Sequence, residues 1–238
     1  MTDGVVFDLF HTLIDPEPLY PPGFDKRSVI ADIVGVDRAE LLAFWVETSV
    51  ERETSIVDLV DLFDRHCTAA GRPLSSATRA EIDGVLGVAV DQALREPDPD
   101  IVALLDRLQD QGVAVGVLSN CHEREVRHWD DSPLAPHVRV IGRSSRIGAM
   151  KPDRAAYDWI VDRLGIDPAR SIYVGNGGSD ELAGARRAGF ATIVHMNAYD
   201  RRAGSVTVDE QSRRAADADV SVDTVARLVS TIERLVSR

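Results

Sequence analysis

Lysine, cysteine and long apolar runs are all scarce in this chain of 238 residues. Only two of the 27 basic residues are lysines, Lys26 and Lys151, and the other 25 are arginines. The two cysteines, Cys67 and Cys121, have neither C-x-x-C spacing nor an accompanying histidine pattern, which argues against a disulfide framework and against a zinc site. No stretch approaches the roughly 18 apolar residues of a membrane-spanning helix. The chain starts with an acidic residue at position 3 and no long apolar region, so we expect no signal peptide and a cytoplasmic protein.

An excess of basic charge is also absent. There are 39 acidic and 27 basic residues, and the formal net charge is −12. With no basic run either, we expect neither nucleic acid nor an anionic membrane as a partner. A hydrophobic content of 44% and a charged content of 28% are ordinary for a globular protein. Basic residues can still concentrate in a cleft, so a small anionic substrate stays open, and the sequence indicates no oligomeric state.

The first 100 residues begin with a strand pattern and continue with helical ones. The apolar run Val5 to Phe7 ends at Asp8 and is typical of a buried strand. A segment rich in proline, residues 16–23, interrupts regular structure, and a second breaker follows at residues 96–100. Between the two breakers lie three helical patterns.

Capping residues and apolar spacing define these three patterns. Asp37, with Glu40 three residues later, predicts a capping box before the first. Ser55 precedes the second pattern, and the third runs over residues 82–90. These patterns predict a helical insertion.

After residue 100, apolar strands alternate with helices. Strand patterns cover residues 113–118, 138–141, 172–174 and 191–195, and helical patterns cover residues 101–108, 155–164 and 182–188. Strands that are apolar throughout and separated by helices predict a parallel sheet that is covered on both faces. The sequence therefore predicts an α/β fold with a doubly wound, Rossmann-like parallel sheet and an inserted α-helical domain. We assign residues 1–15 and 96–238 to the core and residues 16–95 to the insertion.

Polar residues that can carry chemistry follow the predicted strands at four places. In such a sheet, functional residues collect at the carboxyl ends of the strands. The four places are Asp8, Ser119 with Asn120, Lys151, and Asn176 with Asp180 and Glu181. Each residue alone has an ordinary structural explanation as a cap or a surface residue, but their order and separation together indicate one site.

These four motifs resemble those of the haloacid dehalogenase-like (HAD) hydrolase superfamily over most of the chain. The matching segments are residues 5–13, with Asp-x-Phe-x-Thr where the family has Asp-x-Asp-x-Thr, residues 117–120, residues 151–153 and residues 174–185. The helical insertion is similar in position and character to the family's cap domain, which closes over the active site.

The resemblance implies a role for each matching residue. Asp8 is the nucleophile and forms a covalent aspartyl intermediate that water hydrolyses. Thr12, Ser119 and Asn120 hold the oxygens of the transferred group. Lys151 places a compact positive charge beside Asp8. A chain that uses arginine at almost every basic position keeps a lysine where this motif requires one.

The resemblance also implies a magnesium site. Its predicted ligands are Asp8, the backbone carbonyl of Phe10, Asn176, Glu181 and the neighbouring Asp180. Magnesium prefers oxygen ligands, usually with one or two carboxylates among them. Asn176 stands where the family has a metal-binding aspartate, so the predicted site has less negative charge than usual.

A second departure concerns the general acid. The family's phosphatases carry a second aspartate two residues after the nucleophile, and this chain has Phe10 there. We expect a phosphatase that acts on a small organic phosphate with Mg²⁺, because the family is rich in phosphatases. Phe10 and Asn176 leave two alternatives open. One is a 2-haloacid dehalogenase-like hydrolase that needs no metal. The sequence does not identify the halide-binding arginine of such an enzyme, since a solvated helix face explains Arg27, Arg38 and Arg52 in the insertion at least as well. The other is a catalytically impaired binding protein.

Overall fold

Six parallel strands form the centre of the fold in the computed structural model, which describes residues 2–203 and 206–237. Their spatial order is β3-β2-β1-β4-β5-β6. In chain order they are β1 Gly4–Phe7, β2 Ala114–Ser119, β3 Val140–Arg143, β4 Ser171–Gly175, β5 Thr192–Met196 and β6 Val220–Val222. The central strands β1, β2 and β4 are buried along their whole length, as parallel strands covered on both faces must be. The predicted α/β fold with a doubly wound parallel sheet is confirmed.

Helices cover both faces of this sheet and form the insertion after β1. The insertion holds α1 Lys26–Val34, α2 Arg38–Glu47, α3 Ser49–Thr54, α4 Leu59–Ala69 and α5 Ser76–Arg95, which we call the cap helices. The later helices are α6 Pro99–Asp110, α7 Ser144–Ile147, α8 Arg154–Leu164, α9 Glu181–Ala188, α10 Ala198–Ala203, α11 Val208–Ala216 and α12 Val225–Val236. Among the described residues, no helix is both long and apolar enough to cross a membrane.

Three apolar clusters hold these layers together. Successive residues of a strand point to opposite faces of the sheet, so Val5 and Phe7 join a cluster with α6 and α12, whereas Val6 joins a second cluster with α8 and α9. The third cluster lies among the cap helices and includes Phe44 and Phe63, whose rings stack with centroids 4.7 Å apart. The cap helices therefore have an apolar core of their own. The predicted domain boundaries, 1–15 with 96–238 and 16–95, stay a prediction.

The cap contains more helices than the three that the sequence patterns predict. The additional ones are α1, which follows the proline-rich segment, and α3, which at six residues is too short to show a helical period. Asp37 caps α2, since its carboxylate accepts a hydrogen bond from the Glu40 backbone N–H at 2.7 Å, which is one of the two bonds of the predicted capping box. Ser55, which precedes the second pattern, ends α3 and does not begin α4. Asp58 caps α4 instead, by accepting bonds from two backbone N–H groups of the first turn.

The parallel strands bring the predicted motifs to one edge. Phe7 lies opposite Val117 of β2 and Val174 of β4, so the residues that follow these three strands are neighbours. The backbone N–H of Asp8 continues the ladder by donating to the Val174 carbonyl at 2.8 Å. Asp8 therefore lies at the carboxyl edge of the sheet, between the end of β2 and the end of β4.

Candidate active site

The centre of the site is an ammonium group held between two buried carboxylates. Lys151 Nζ lies 2.5 Å from Asp8 Oδ1 and 2.5 Å from Glu181 Oε2. The exposed fractions of the three side chains are 3%, 8% and 1% for Lys151, Asp8 and Glu181. The hydroxyl of Thr12 donates to the other Asp8 oxygen, Oδ2, at 3.0 Å. The structure thus brings Lys151 from a distant part of the sequence to Asp8 and Thr12.

The electrostatic balance of this group follows from burial and from its charges. Burial disfavours the ammonium form of Lys151, but the negative charges of Asp8 and Glu181 outweigh burial and raise the pKa of Lys151 above its ordinary value. Burial also raises the pKa of Glu181, and the nearby charge of Asp8 adds to this effect, while Lys151 opposes it. The lysine is therefore the counter-ion that makes two buried carboxylates tolerable in one place.

Asn120 fixes the loop that carries Lys151. Its side-chain Nδ2 donates to the Lys151 carbonyl at 2.9 Å, and its Oδ1 accepts from the Lys151 N–H at 2.8 Å. The Asn120 amide is thus committed to the backbone of Lys151, and this is a different use from the predicted hold on substrate oxygens. Ser119, fully buried at the end of β2, lies next to it.

Glu181 has hydrogen-bond donors on both of its carboxylate oxygens. Tyr173, on β4, donates from its hydroxyl to Oε2 at 2.7 Å, in addition to Lys151. The backbone N–H of Gly177 donates to Oε1 at 2.9 Å. Residue 175 must be glycine here, because a Cβ at that position would collide with the Glu181 carboxylate. Glu181 is therefore a fixed partner of Lys151.

The structure does not place Asp180 in the site. Its side chain is 56% exposed and pairs with Arg213 of α11 at 2.7 Å. Its backbone is left-handed, with φ 50°, whereas Glu181 begins α9. Because the backbone reverses its twist between the two residues, these neighbouring carboxylates point to different environments.

Asn176 is bonded at both ends of its side chain. Its Nδ2 donates to Asp200 Oδ2 at 3.1 Å, and its Oδ1 accepts from the Gly178 N–H at 3.1 Å. Arg214, on α11, donates to the same Asp200 oxygen at 3.0 Å and to the backbone carbonyl of Asn176 at 3.2 Å. Asn176 therefore ties the loop after β4 to the C-terminal part of the chain.

The predicted magnesium ligands are not arranged as a metal site. In the described ranges, no group of three histidine, cysteine, aspartate or glutamate side chains is placed to hold a metal ion. The oxygens of Glu181 and Asn176 are committed to other partners, Asp180 faces away, and the Phe10 carbonyl adds only a neutral oxygen. Magnesium demands near-octahedral oxygen coordination. The donors present do not fit it.

A cavity of about 590 Å³ separates the cap helices from the core. Phe10 and Asn120 are part of its wall, so it lies next to Asp8 and Lys151. Its other walls carry the cations Lys26, Arg27 and Arg52, the aromatic residues Tyr20, Phe24 and Trp45, the carboxylates Glu17, Asp25, Glu53 and Glu125, and also His11, Pro16, Val90 and His122. Its volume is within the range of pockets for small organic molecules.

Arg52 is the buried cation of this cavity. Its guanidinium lies 4.9 Å from the centre of the Trp45 ring, and its Nη1 donates to the Trp45 carbonyl at 2.8 Å. Only 4% of Arg52 is exposed, and burial lowers its pKa. Of the other two arginines considered in the cap, Arg27 lines the cavity, whereas Arg38 is 55% exposed and pairs with Asp25.

Several residues of the site have no signal in the sequence. Tyr173 belongs to a strand pattern, and Asp200 and Arg214 lie beyond the last element that the patterns assign. Glu53 and Glu125 are ordinary helix and turn residues until the fold places them on the cavity wall. Only the spatial arrangement identifies these residues, because none of them belongs to a motif or to a pattern that indicates a site.

A buried aspartate at the carboxyl edge of a doubly wound sheet, beside a buried lysine and close to a group of inserted helices, is the arrangement of a class of hydrolases. The chain matches the haloacid dehalogenase-like hydrolase family over residues 2–189. It belongs to this family and is a hydrolase of the HAD type.

Curated relatives include both phosphatases and a dehalogenase. Phosphoglycolate phosphatase of Rhodospirillum rubrum is 26% identical over 206 residues, 84% of this chain and 82% of the relative. (S)-2-haloacid dehalogenase 4A of Burkholderia cepacia is 25% identical over 191 residues, 79% of this chain and 80% of the relative. Glyceraldehyde 3-phosphate phosphatase of Methanothermobacter thermautotrophicus is 30% identical over 105 residues, and this match spans 43% of the chain and only about half, 46%, of the relative.

Solved structures share the fold over nearly the whole chain. The 2-haloacid dehalogenase of Pseudomonas syringae pv. Tomato DC3000 has a TM-score of 0.66 at 20% identity and covers 98% of this chain and 99% of its own. The HAD phosphatase of Thermococcus onnurineus has a TM-score of 0.60 at 20% identity and covers 97% of both chains. At this identity the likeness concerns the fold alone.

Proposed function

We propose that this hydrolase cleaves a carbon–halogen bond of a small 2-haloacid through an aspartyl ester at Asp8, without a metal ion. The observation that carries the proposal is the commitment of Lys151 to Asp8 and Glu181, at 2.5 Å from each. The ammonium group of Lys151 is thus bonded to an oxygen of each carboxylate. A metal-dependent site would need such oxygens to be free as ligands.

Phe10 supports the same reaction class. Displacement of a halide by the Asp8 carboxylate breaks the carbon–halogen bond, and the halide leaves with the bonding electrons and needs no proton. An alkoxide leaving group does need one, and a positioned general acid is typically worth roughly 10²–10⁴-fold in rate. The apolar side chain of Phe10, at the position of that acid, is compatible with a halide and unsuited to an alkoxide.

The charges of the cavity suit an anionic substrate. Arg52 is buried there, with Arg27 and Lys26 on the same walls. A guanidinium in a partly desolvated wall is well suited to bind a carboxylate. We therefore assign the substrate carboxylate to the arginine side of the cavity and the reacting carbon to Asp8.

A phosphatase that acts on a small organic phosphate is the second candidate. The phosphatases among the relatives favour it, and the same cations would bind a phosphate. It requires Glu181 and Asn176 to give up their present partners to Mg²⁺ and another group to replace the acid missing at Phe10.

One experiment tests both candidates. Purified enzyme is assayed for halide release from a panel of 2-haloacids and for phosphate release from a panel of esters, each with EDTA and with Mg²⁺. We expect halide release that is unchanged by EDTA and is lost by at least about 10³-fold in Asp8→Asn, because the amide is not a nucleophile. Asp180→Asn, which changes an exposed carboxylate in the same way, is the matched control and keeps wild-type activity. Phosphate release that depends on Mg²⁺, with no halide release, would establish the second candidate instead.

A further inference from the structure

Aromatic side chains are concentrated on the walls of the cavity, although the chain as a whole has few of them. Aromatic residues make up 5% of the sequence, as three tryptophans, four tyrosines and six phenylalanines. Four of these residues, Phe10, Tyr20, Phe24 and Trp45, line this one cavity. The cavity therefore offers flat apolar surface in addition to its cations.

Two of the four rings are explained by packing within the protein. Phe10 packs against the apolar cluster that includes β1, α6 and α12, and Trp45 packs against the cluster among the cap helices. The guanidiniums of Arg52 and Arg27 also lie over the Trp45 ring, at 4.9 Å and 5.9 Å from its centre. Neither of these two rings therefore indicates a ligand.

The other two rings, those of Tyr20 and Phe24, stack on each other. Their centroids are 5.0 Å apart and their planes are inclined by only 5°. In the part of the chain that the structure describes, neither ring belongs to an apolar cluster and neither has a cation over it. Both side chains are half-buried, and both also line a second cavity of about 320 Å³. These two residues, which we call the aromatic pair, thus border open space and not a core.

The backbone that carries the aromatic pair is restricted in conformation. Tyr20 lies within the proline-rich segment, residues 16–23, and Phe24 directly follows it. Each of the two residues closes a turn, since its backbone N–H donates to the carbonyl three residues earlier, at 3.2 Å for Tyr20 and 3.0 Å for Phe24. Prolines fix their own φ and restrict the residue before them, which lowers the entropy that is lost when a ligand binds. The pair is therefore a preformed surface.

We propose that the aromatic pair binds an aryl group of the substrate, so that the enzyme acts on 2-haloacids that carry an aryl group on their carbon chain. The inference rests on the proposed function for the bond that is cleaved, and on the cavity for the group that is bound. A volume of about 590 Å³ is typical of pockets for drug-sized ligands and is more than an acid of three carbons fills. The aryl group lies on the pair, the carboxylate at Arg52 and the reacting carbon at Asp8.

The choice of an aryl group over an alkyl group follows from the geometry of the pair. Two parallel rings present flat faces and edges, on which a third ring can stack or place its edge. Such contacts between rings are favourable beyond the apolar area that they bury, whereas an alkyl group gains from the area alone. The aromatic pair should therefore distinguish a planar ring from a saturated group.

Binding of unreactive acids to the wild-type enzyme tests the aryl site independently of catalysis. Isothermal titration calorimetry compares 3-phenylpropanoate with butanoate and with 3-cyclohexylpropanoate, none of which carries a halogen. We expect 3-phenylpropanoate to bind at least about tenfold more tightly than butanoate, because the ring is buried on the pair. We also expect 3-cyclohexylpropanoate, which has a ring of the same size that is not planar, to bind more weakly than 3-phenylpropanoate.

Two variants remove the rings of the pair but keep apolar side chains. In Tyr20→Leu and in Phe24→Leu, the preference for 3-phenylpropanoate over butanoate should fall below about threefold, while the affinity for butanoate stays unchanged. Leu19→Ala is the matched control and keeps the wild-type preference, because Leu19 is an exposed apolar residue of the same segment that does not line this cavity. Circular dichroism spectra show whether each variant is folded, and the wild-type comparison needs no variant.

Halide release then connects the aryl site with the reaction. We expect kcat/KM for 2-bromo-3-phenylpropanoate to exceed that for 2-bromobutanoate by at least about tenfold, and Phe24→Leu to remove this advantage mainly through KM.

The possible outcomes separate the two proposals. Equal binding of the phenyl and the cyclohexyl acid, a preference over butanoate of less than about twofold, or a preference that persists in both leucine variants would overturn the aryl site. If halide is released but the aryl substrate has no advantage, the proposed function stands and this inference fails. If the aryl acid binds with the expected preference but no 2-haloacid releases halide, the proposed function fails and the aryl site stands.

Discussion

The core side and the cap side of the cavity are organised differently. On the core side, Asp8, Lys151 and Glu181 are almost fully buried, and both carboxylates have a partner on each oxygen. On the cap side, Arg52 is buried but Arg27 is exposed, and the Glu53 carboxylate has no hydrogen-bond donor in the described part of the chain. Fixed, paired charges suit the role of nucleophile that we propose for Asp8, because its position must not change, whereas less constrained charges suit groups that contact substrate and water.

The largest effect is expected from removal of the shared cation. Lys151→Met leaves Asp8 and Glu181 buried without a counter-ion, so we expect activity to fall by at least about 10³-fold and the free energy of unfolding to fall by about 3–5 kcal/mol at neutral pH. Urea unfolding monitored by circular dichroism measures this loss, and Lys26→Met, which changes the chain's other lysine, is the control, with a loss below about 0.5 kcal/mol.

The pH dependence of that variant follows from the raised pKa values. In the wild-type protein the pKa of Lys151 is raised, so its contribution to stability is complete below the ordinary lysine pKa and is lost only as the pH rises through the raised value. In Lys151→Met, protonation of Glu181 removes one of the two unpaired charges, and the pKa of this group is already raised by burial. The stability deficit should therefore shrink as the pH falls from 8 to 5. A deficit independent of pH would show that lost packing, and not charge, destabilises the variant.

An intermediate effect is expected at a pair of neighbouring acids. Glu181→Gln removes the negative charge that balances Lys151. It also places an amide NH2 group, which can only donate, among groups that donate hydrogen bonds to this side chain. We therefore expect kcat to fall by about 10²-fold, with a lower Tm. Asp180→Asn changes the adjacent, exposed carboxylate, and we expect kcat and Tm to stay at their wild-type values, because exposed ion pairs contribute little. Equal effects of the two changes would contradict the arrangement described here.

The smallest effect is expected on the cap side. Arg52→Met removes the cation that we assign to the substrate carboxylate and leaves Asp8 unchanged, so KM for an anionic substrate should rise about tenfold while kcat changes little. Arg38→Met is the matched control, since this arginine is exposed and lies outside the cavity. A fall in kcat at constant KM would instead place Arg52 in the chemical step.

Much of the core could be predicted from local patterns. An apolar strand that ends in aspartate and a lysine in a chain nearly without lysine identify Asp8 and Lys151. Asp8 directly follows β1, and Lys151 lies in the turn before α8. The sequence does not predict which of the two neighbouring acids after Asn176, Asp180 or Glu181, lies in the core. Two consecutive left-handed residues, Ser179 with φ 52° and Asp180 with φ 50°, decide which carboxylate enters the core, and neighbouring acids have the same local pattern.

The cap side could hardly be predicted at all. Arg27, Arg52 and Glu53 belong to short helices, and their place on the cavity wall depends on how α1 and α3 pack against the rest of the structure. The role of Asn120 was also out of reach, since its partner is the backbone of a residue 31 positions later. The positions of these residues depend on contacts between segments that are distant in sequence, and the motifs do not describe such contacts.

The hydrogen bond from Arg214 to the Asn176 carbonyl limits where the chain can be truncated without loss of support for the loop after β4. The family match ends at residue 189, yet β5, β6 and the arginine that supports Asn176 lie beyond it. A chain cut at that boundary would turn β4 into an open edge, with unpaired N–H and C=O groups beside the loop that carries Asn176. The smallest independently folding unit is therefore longer than the segment by which the family is identified.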